Sequence, residues 1–475
     1  MLKPSSIAAL ETIREKNSGR GKVVFISGYF NILHPGHLRL LRFAAECGDF
    51  LVVGVYSQNQ GDTFLDADIR FEGVQAISLI DYAFLLGDPP EDFISVLKPD
   101  VVVKGKEHEN ASNPEEDAVK SYGGKILFSS GDMSFSLAEL LHGESQRLAT
   151  GDFSVNNTYM NRHQFNWADL EQTLDRFSRT KVVVIGDVIV DEYITCDTLG
   201  MSQEDPTIVV TPVGVDLYLG GAGIVAAHAG NLGADVTFFS VTGEDEIAEF
   251  TQGKLTESGV SSHLFSDSSR PTILKQRYRS SGKTLLRVNH LRQHPVSREI
   301  QAQIKEQLFD VLENQDLVVF SDFNYGCLPN PLVNEIITEC RQKNIMMVAD
   351  SQSSSQIGDV SRFSHMELMT PTEREARLAL KDFESGLVVL AEKLRKKSRS
   401  KNVFITLGEE GLLIHADTTG TSDYQTDQLE AMNSNPIDPA GAGDSLLTCS
   451  ALSLAAGADI WQCAYLGSVA AACQV

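Results

Sequence analysis

The chain has 475 residues, 42% of them hydrophobic and 22% charged, and a formal net charge of −24. That length implies two or three domains. The acidity excludes a nucleic-acid binder, which gains affinity by neutralising phosphates with Lys and Arg. It leaves room for nucleotides, because backbone N–H groups can hold a phosphate inside an acidic protein.

The first residues are charged and read as a helix over 5–17, without the apolar core of a signal peptide. An apolar strand (22–27) follows, then a helix in HPGHLRLLRFAAECG, a strand in DFLVVGVYS and a helix in EGVQAISLI. YAFLL, DVVVKG and KILFSS are further strands, PEDFISVL is a helix, and SFSLAELLHG closes the unit. Strands and helices alternate, and the strands are apolar throughout. That pattern predicts a parallel sheet covered on both faces. Residues 1–142 are therefore read as one α/β domain.

Residues 143–165 are polar and lack periodicity, so they read as a linker. Residues 166–475 form a second α/β domain, with strands in KVVVIGD, VTFFSVTG, DLVVFSD, IMMVADS, HMELMTP and NVFITLG. Residues 193–219 and 272–290 have β character and no helical period, and predict an antiparallel flap. Between Leu446 and Val475 the only charge is Asp459. Gly457, Asp459 and Gln462 split that run into two segments that read as buried helices, not a membrane span. Seven scattered cysteines with no CxxC pair suggest neither zinc nor disulfides and fit a reducing cytoplasm.

Two glycine-rich segments carry the chemistry. In Gly28-Tyr29-Phe30-Asn31-Ile32-Leu33-His34-Pro35-Gly36-His37, Gly28 ends a strand and Pro35 suits the first turn of a helix. His34 and His37 are three apart, so both imidazoles can face one side of a helix N-terminus. That end offers N–H groups and a positive dipole to an anion. The group would stabilise the charge that builds when the α-phosphorus of a nucleoside triphosphate is attacked. In Asp438-Pro439-Ala440-Gly441-Ala442-Gly443-Asp444, the glycines let N–H groups converge into an anion hole. Asp444 beside it can take the proton of a hydroxyl that attacks a γ-phosphate. The alternating Lys275, Arg277 and Arg279 either reach a substrate phosphate from the flap or form a solvated strand face. The basic run 392–401 reads as a solvated helix end.

The first segment resembles the GxFDxxHxGH fingerprint of the cytidylyltransferase-like nucleotidyltransferases, over residues 22–140. Asn31 stands where Asp is usual. Arg70 and the Asp100–Gly105 strand with Lys104 match family positions, and Ser134 falls in the last family motif. The resemblance implies nucleotide contacts from Gly28, Tyr29, Phe30, Asn31, Gly36, Arg70, Lys104 and Ser134.

Residues 182–444 resemble the ribokinase/PfkB carbohydrate kinases. Gly186-Asp187 with Asp191 matches GDxxxD, and Gly220-Gly221 the sugar-site diglycine. Thr406, Gly408 and Gly411 match TxGxxG, and Glu375 closes the NxxE position near magnesium. The resemblance implies that Asp187, Asp191, Gly220, Gly221, Lys275 and Arg277 bind the acceptor. It implies that Thr406, Gly408, Gly411, Gly441, Ala442 and Gly443 bind nucleotide, and that Glu375 attends the metal. Within this group the chain is most similar to the bifunctional heptose-7-phosphate kinase/heptose-1-phosphate adenylyltransferases, with the domain order reversed. Ile224, Tyr325, Gln352, Thr372 and Pro439 depart from the kinase pattern, and the family's usual end lies beyond Val475, so a truncated C-terminus is expected.

Together these features imply a kinase and nucleotidyltransferase that make an ADP- or CDP-heptose type of activated sugar from ATP or CTP, with Mg²⁺ and release of pyrophosphate. Two alternatives stay open. One is an active transferase with a degenerate kinase-like binding or regulatory domain. The other is a cytidylyltransferase for a polyol phosphate or phosphonate. The implied partners are a sugar phosphate, a nucleotide and a second copy of the chain, with neither nucleic acid nor membrane.

Overall fold

A computed structural model describes residues 2–18, 21–31, 33, 35–57, 65–105, 113–129, 157–202, 205, 207–281, 283–352, 358–417, 425–433 and 439–474. The chain divides into two compact units, one built on Met1–Gly151 and the other on most of residues 152–475.

The first unit carries five parallel strands: β1 (Val23–Gly28), β2 (Phe50–Tyr56), β3 (Tyr82–Leu86), β4 (Val101–Gly105) and β5 (Lys125–Ser129). Their order is β3-β2-β1-β4-β5. The chain thus reverses its direction of travel between β1 and β4, and the carboxyl ends of those two strands flank the crevice where such sheets bind ligands. The helix Pro4–Lys16 buries Ala9, Leu10 and Ile13 against Phe84 and Phe93.

The helix expected over EGVQAISLI instead spans Ala67–Gln75. It starts earlier because the buried Arg70 side chain pins its first turn, donating to the carbonyls of Leu65, Tyr29 and Tyr56. The SFSLAELLHG segment lies outside the described residues.

Residues 157–165, read as the tail of a linker, contain the helix Asn157–Arg162. Tyr159 is fully buried there and stacks on Tyr465, while His163 stacks on Trp461. Two spaced aromatics, not a helical period, anchor this stretch.

The remaining strands are β6 (Lys181–Gly186), β7 (Val188–Met201), β8 (Ile208–Gly221), β9 (Asp235–Thr242), β10 (Ser261–Ser266), β11 (Ile273–Ser280), β12 (Lys283–His290), β13 (Leu317–Asp322), β14 (Met346–Ser351), β15 (Leu368–Met369), β16 (Asn402–Thr406), β17 (Leu412–Ala416) and β18 (Gln425–Leu429). A nine-stranded sheet runs β10-β9-β6-β13-β14-β15-β16-β17-β18, and it is parallel from β10 to β16. The flap is a separate sheet, β12-β11-β7-β8. Its pairings are antiparallel except β7 with β11, which run parallel. The apolar C-terminal stretch forms two helices, Ala442–Ala455 and Ile460–Gln474. No described helix is long and apolar enough to cross a membrane.

Candidate active sites

In the second unit, the flap and the start of the helix Ala442–Ala455 enclose a cleft of about 790 Å³. Asp191, Tyr193 and Thr195 reach it from β7, and Lys275, Arg277 and Arg279 from β11. Alternate residues of a strand share one face, and the parallel register sets these two triplets side by side. Gly220, Gly221, Ile224, Gln352, Gly441 and Asp444 complete much of the wall.

Asp444 is buried, and its Oδ1 has no hydrogen-bond partner. Burial, and then the charge of Asp191, push its pKa up to about 7, while Lys275 pulls the other way. A carboxylate poised near neutrality, with an open oxygen in a cleft, can accept a proton from a bound hydroxyl. The helix that carries it begins at Gly441, whose φ of +84° suits glycine, and has no side-chain cap. The Ala442 N–H donates to the Pro439 carbonyl at 3.3 Å, which leaves the N–H groups of Gly443 and Asp444 for an anion.

Asp191 pairs with Arg277. The Lys275 ammonium lies 5.4 and 5.2 Å from the ring centroids of Phe323 and Tyr325. Asp187, by contrast, does not line the cleft. Its carboxylate accepts the N–H groups of Phe323, Tyr325 and Cys327 at 2.9, 3.2 and 3.1 Å, which shapes the loop beneath Lys275. Burial and the neighbouring Asp322 still raise its pKa to about 6.

Glu375 forms a capping box with Thr372: its Oε2 accepts the Thr372 N–H at 2.8 Å, and Thr372 Oγ1 accepts the Glu375 N–H at 3.2 Å. Thr372 thus keeps the capping role open to Asn at a helix start. Asp350 is buried with an unpartnered Oδ1, and burial, Glu375 and Asp444 push its pKa well up. Among the described residues no three His, Cys, Asp or Glu side chains form a metal cage. Thr406 ends β16, and Gly408 and Gly411 shape the short turn after it. None of these three lines the cleft.

In the first unit, Phe30 takes a φ of +50° as the chain leaves β1, and its ring lies 5.4 Å from that of His37. Asn31 accepts the Leu65 N–H at 3.2 Å. Tyr29 packs edge-on against Tyr56 at 4.8 Å. Gly36 is buried in the first turn of the helix Pro35–Glu46. Lys104, at the carboxyl end of β4, is ion-paired with Glu115 at 2.8 Å, both side chains nearly buried. His34 and Ser134 lie outside the described residues.

The description "pfkB family carbohydrate kinase" matches residues 179–475. The chain belongs to the pfkB family. A second description, cytidylyltransferase-like, matches residues 25–126. The chain is similar to "Bifunctional protein HldE" of Pelobacter propionicus, at 28% identity over 307 residues, which is 64% of this chain and 61% of that one. It is similar to the protein of the same name from Helicobacter hepaticus, at 30% over 297 residues, 62% of this chain and 59% of that one. The chain thus spans about three fifths of the length of these relatives. Among solved structures, Escherichia coli phosphofructokinase-2 in complex with fructose-6-phosphate matches with a TM-score of 0.51 at 16% identity, over 62% of this chain and 93% of that one. That likeness supports the expected doubly wound fold.

The pfkB half therefore brings Asp191, Gly220, Gly221, Lys275, Arg277, Gly441 and Asp444 into one cleft. Tyr193, Thr195 and Asp216 line the same cleft and escaped the sequence reasoning. The signal was available: Tyr193 and Thr195 continue the alternation that begins at Asp191.

Proposed function

We propose that this chain phosphorylates a sugar in its pfkB half and transfers a nucleotidyl group to a sugar phosphate in its cytidylyltransferase-like half. The product is a nucleotide-activated sugar of the ADP- or CDP-heptose type, made in a reducing cytoplasm. The observation that carries the kinase reading is Asp444: buried, open at one oxygen, lining the cleft, and titrating near neutrality.

In phosphotransfer, Asp444 takes the proton of the acceptor hydroxyl as its oxygen bonds to the γ-phosphorus and the bond to the leaving nucleoside diphosphate breaks. The N–H groups at the start of the helix Ala442–Ala455 hold the phosphoryl oxygens. Lys275 favours the ionised form of Asp444, and the Asp191–Arg277 pair orients the acceptor. Mg²⁺ fits as an ion carried mainly by nucleotide phosphates, with Asp350 and Glu375 as the carboxylates available to it. When bound it would neutralise phosphate charge.

In nucleotidyl transfer, a phosphate oxygen of the acceptor attacks the α-phosphorus and pyrophosphate leaves. His34 and His37, with the N-terminus of the helix Pro35–Glu46, stabilise the charge that builds. A second copy of the chain fits on the flap, where Leu199, Met201 and Val213 are 69%, 61% and 58% exposed.

A second reading, an active transferase with a kinase-like binding domain, draws on Ile224 and Gln352 in the cleft wall. The test offers ATP or CTP and Mg²⁺ with a sugar panel, and separately with heptose 1-phosphate, glycerol 3-phosphate and ribitol 5-phosphate. Nucleoside diphosphate formation lost in Asp444→Asn supports the kinase. Pyrophosphate release lost in His37→Ala supports the transferase and names its base. Nucleotide binding without sugar turnover favours the second reading.

A further inference from the structure

The loop 323–327 after β13 is held from three sides. The Asp187 carboxylate gathers the N–H groups of Phe323, Tyr325 and Cys327. Asn324 and Gly326 between them take left-handed angles, φ +59° and +99°, so alternate N–H groups converge on one point. That is the geometry of a backbone anion nest, filled here by the protein's own carboxylate. Arg270 donates to the Tyr325 carbonyl at 3.0 Å. Arg362 ties Asp322, before the loop, to the Leu328 carbonyl after it, both at 2.7 Å.

What this loop presents is a pair of rings. Phe323 and Tyr325 stand 23° from parallel with centroids 6.5 Å apart. They pack with Ile189 and Ile273, which precede Asp191 on β7 and Lys275 on β11 by two residues each. The Lys275 ammonium lies within 5.4 Å of both centroids, a cation–π clamp. A lysine stem is flexible, so the rings set the place of the ammonium, and the loop sets the place of the rings. Lys275 and Asp444 line the same cleft.

We propose that Asp187, although outside the cleft wall, is a positioning residue for phosphotransfer: through the loop 323–327 it holds the Lys275 ammonium where its charge acts on Asp444. This rests on the carbohydrate-kinase reading of the cleft. The other charges that act on Asp444 and its surroundings come from Asp191 on β7 and Asp350 on β14. The His228 ring, on the helix Ala222–Asn231, reaches the adjacent Ser445 at 3.4 Å. Of these groups and Lys275, it is Lys275 that sits on the two rings. Asp187 itself faces Asp322 and Cys327.

The titration of Asp444 tests this without turnover. Carboxyl carbon NMR on aspartate-labelled protein follows it, with Asp444→Asn to assign the signal. Asp187→Asn puts an amide among three N–H donors and loosens the loop. Asp444 is then expected to bind its proton about 3- to 10-fold more tightly, as the cation moves away. Lys275→Met is expected to act in the same direction, and Asp187→Asn to add little in that background. Tyr325→Leu, which removes one ring and leaves Asp187 in place, is expected to move the titration the same way, and Tyr325→Phe to keep it. A titration unmoved in folded Asp187→Asn or, where that variant does not fold, in Tyr325→Leu would overturn the proposal. So would an Asp187→Asn shift that persists in full in Lys275→Met. The kinase reading fails separately, when Asp444 titrates as expected and no sugar yields a phosphotransfer that Asp444→Asn abolishes.

Discussion

A Cβ on Gly220 would stand 2.5 Å from Oδ2 of Asp191. The Asp191 carboxylate thus lies against bare backbone, in space that no other residue type leaves free. In Gly220→Ala the Asp191 side chain has to shift, which disturbs its pairing with Arg277. The fold should survive, because the obstructed atom is the tip of a flexible side chain. The acceptor KM is expected to rise by about 10- to 100-fold through misplacement. Steady-state kinetics with the acceptor varied at saturating nucleotide checks this, with the KM for nucleotide as the control that should stay put.

The pH dependence of phosphotransfer follows from Asp444. As the proposed base it works as the carboxylate, so the rate should rise with pH through about 7 and level off above. Lys275 lowers that pKa and Asp191 raises it. Lys275→Met should therefore move the acid limb to higher pH, and Asp191→Asn to lower pH. Profiles of kcat for the three proteins give the order directly. An unmoved limb in both variants would remove Asp444 as the titrating base.

The same group has an opposite effect on stability. The folded pKa of Asp444 lies above its ordinary 3.8, so the folded state binds the proton more tightly than the unfolded chain. Stability from this source is present at low pH and is lost as pH rises from about 4 through about 7. Asp444→Asn, which removes the buried charge, should raise the unfolding midpoint at pH 8 by an amount worth a few kcal/mol. It should change little at pH 4, while phosphotransfer falls by about 10²- to 10⁴-fold. Thermal scans at both pH values separate loss of chemistry from loss of fold.

Much of the architecture was legible because period and composition are local. The apolar runs that became β1 to β4 and the two C-terminal helices follow from burial on all sides, which a sequence displays directly. Side-chain direction is not local. Asp187 and Asp191 look alike in a GDxxxD string, yet one carboxylate holds three backbone N–H groups and the other faces the cleft. Lys104 reads as a nucleotide contact, and the ion pair of its ammonium with Glu115, eleven residues along the chain, could not be read from the motif. The flap alternation was readable on β11, whereas its match with Asp191, Tyr193 and Thr195 needed the parallel pairing of two distant strands.

Thr372 departs from the Asn of the kinase pattern, and the capping box explains why that is tolerated. Thr372→Asn should shift stability by less than about 0.5 kcal/mol, since both residues cap well. Thr372→Ala should cost about 1 kcal/mol and loosen Glu375, whose Oε2 then loses the ordered Thr372 N–H. Urea titration of both variants, with the Mg²⁺ dependence of turnover alongside, tests whether the cap also holds Glu375 in place for the metal.

Arg70 makes the sharpest separation between binding and folding. Its side chain is among the largest fully buried ones, and its three nitrogens reach carbonyls at 3.0, 2.5 and 3.0 Å. Those carbonyls belong to the loop before its own helix, the residue after β1 and the last residue of β2. A guanidinium serves three directions at once, and an ammonium on a flexible stem does not. Arg70→Lys leaves at least one buried carbonyl unpaired and is expected to destabilise the first unit by about 2 to 4 kcal/mol. In a two-unit chain the loss should appear in one unfolding transition and not the other. A variant that binds nucleotide poorly while both transitions stay in place would show instead that Arg70 acts on the ligand itself.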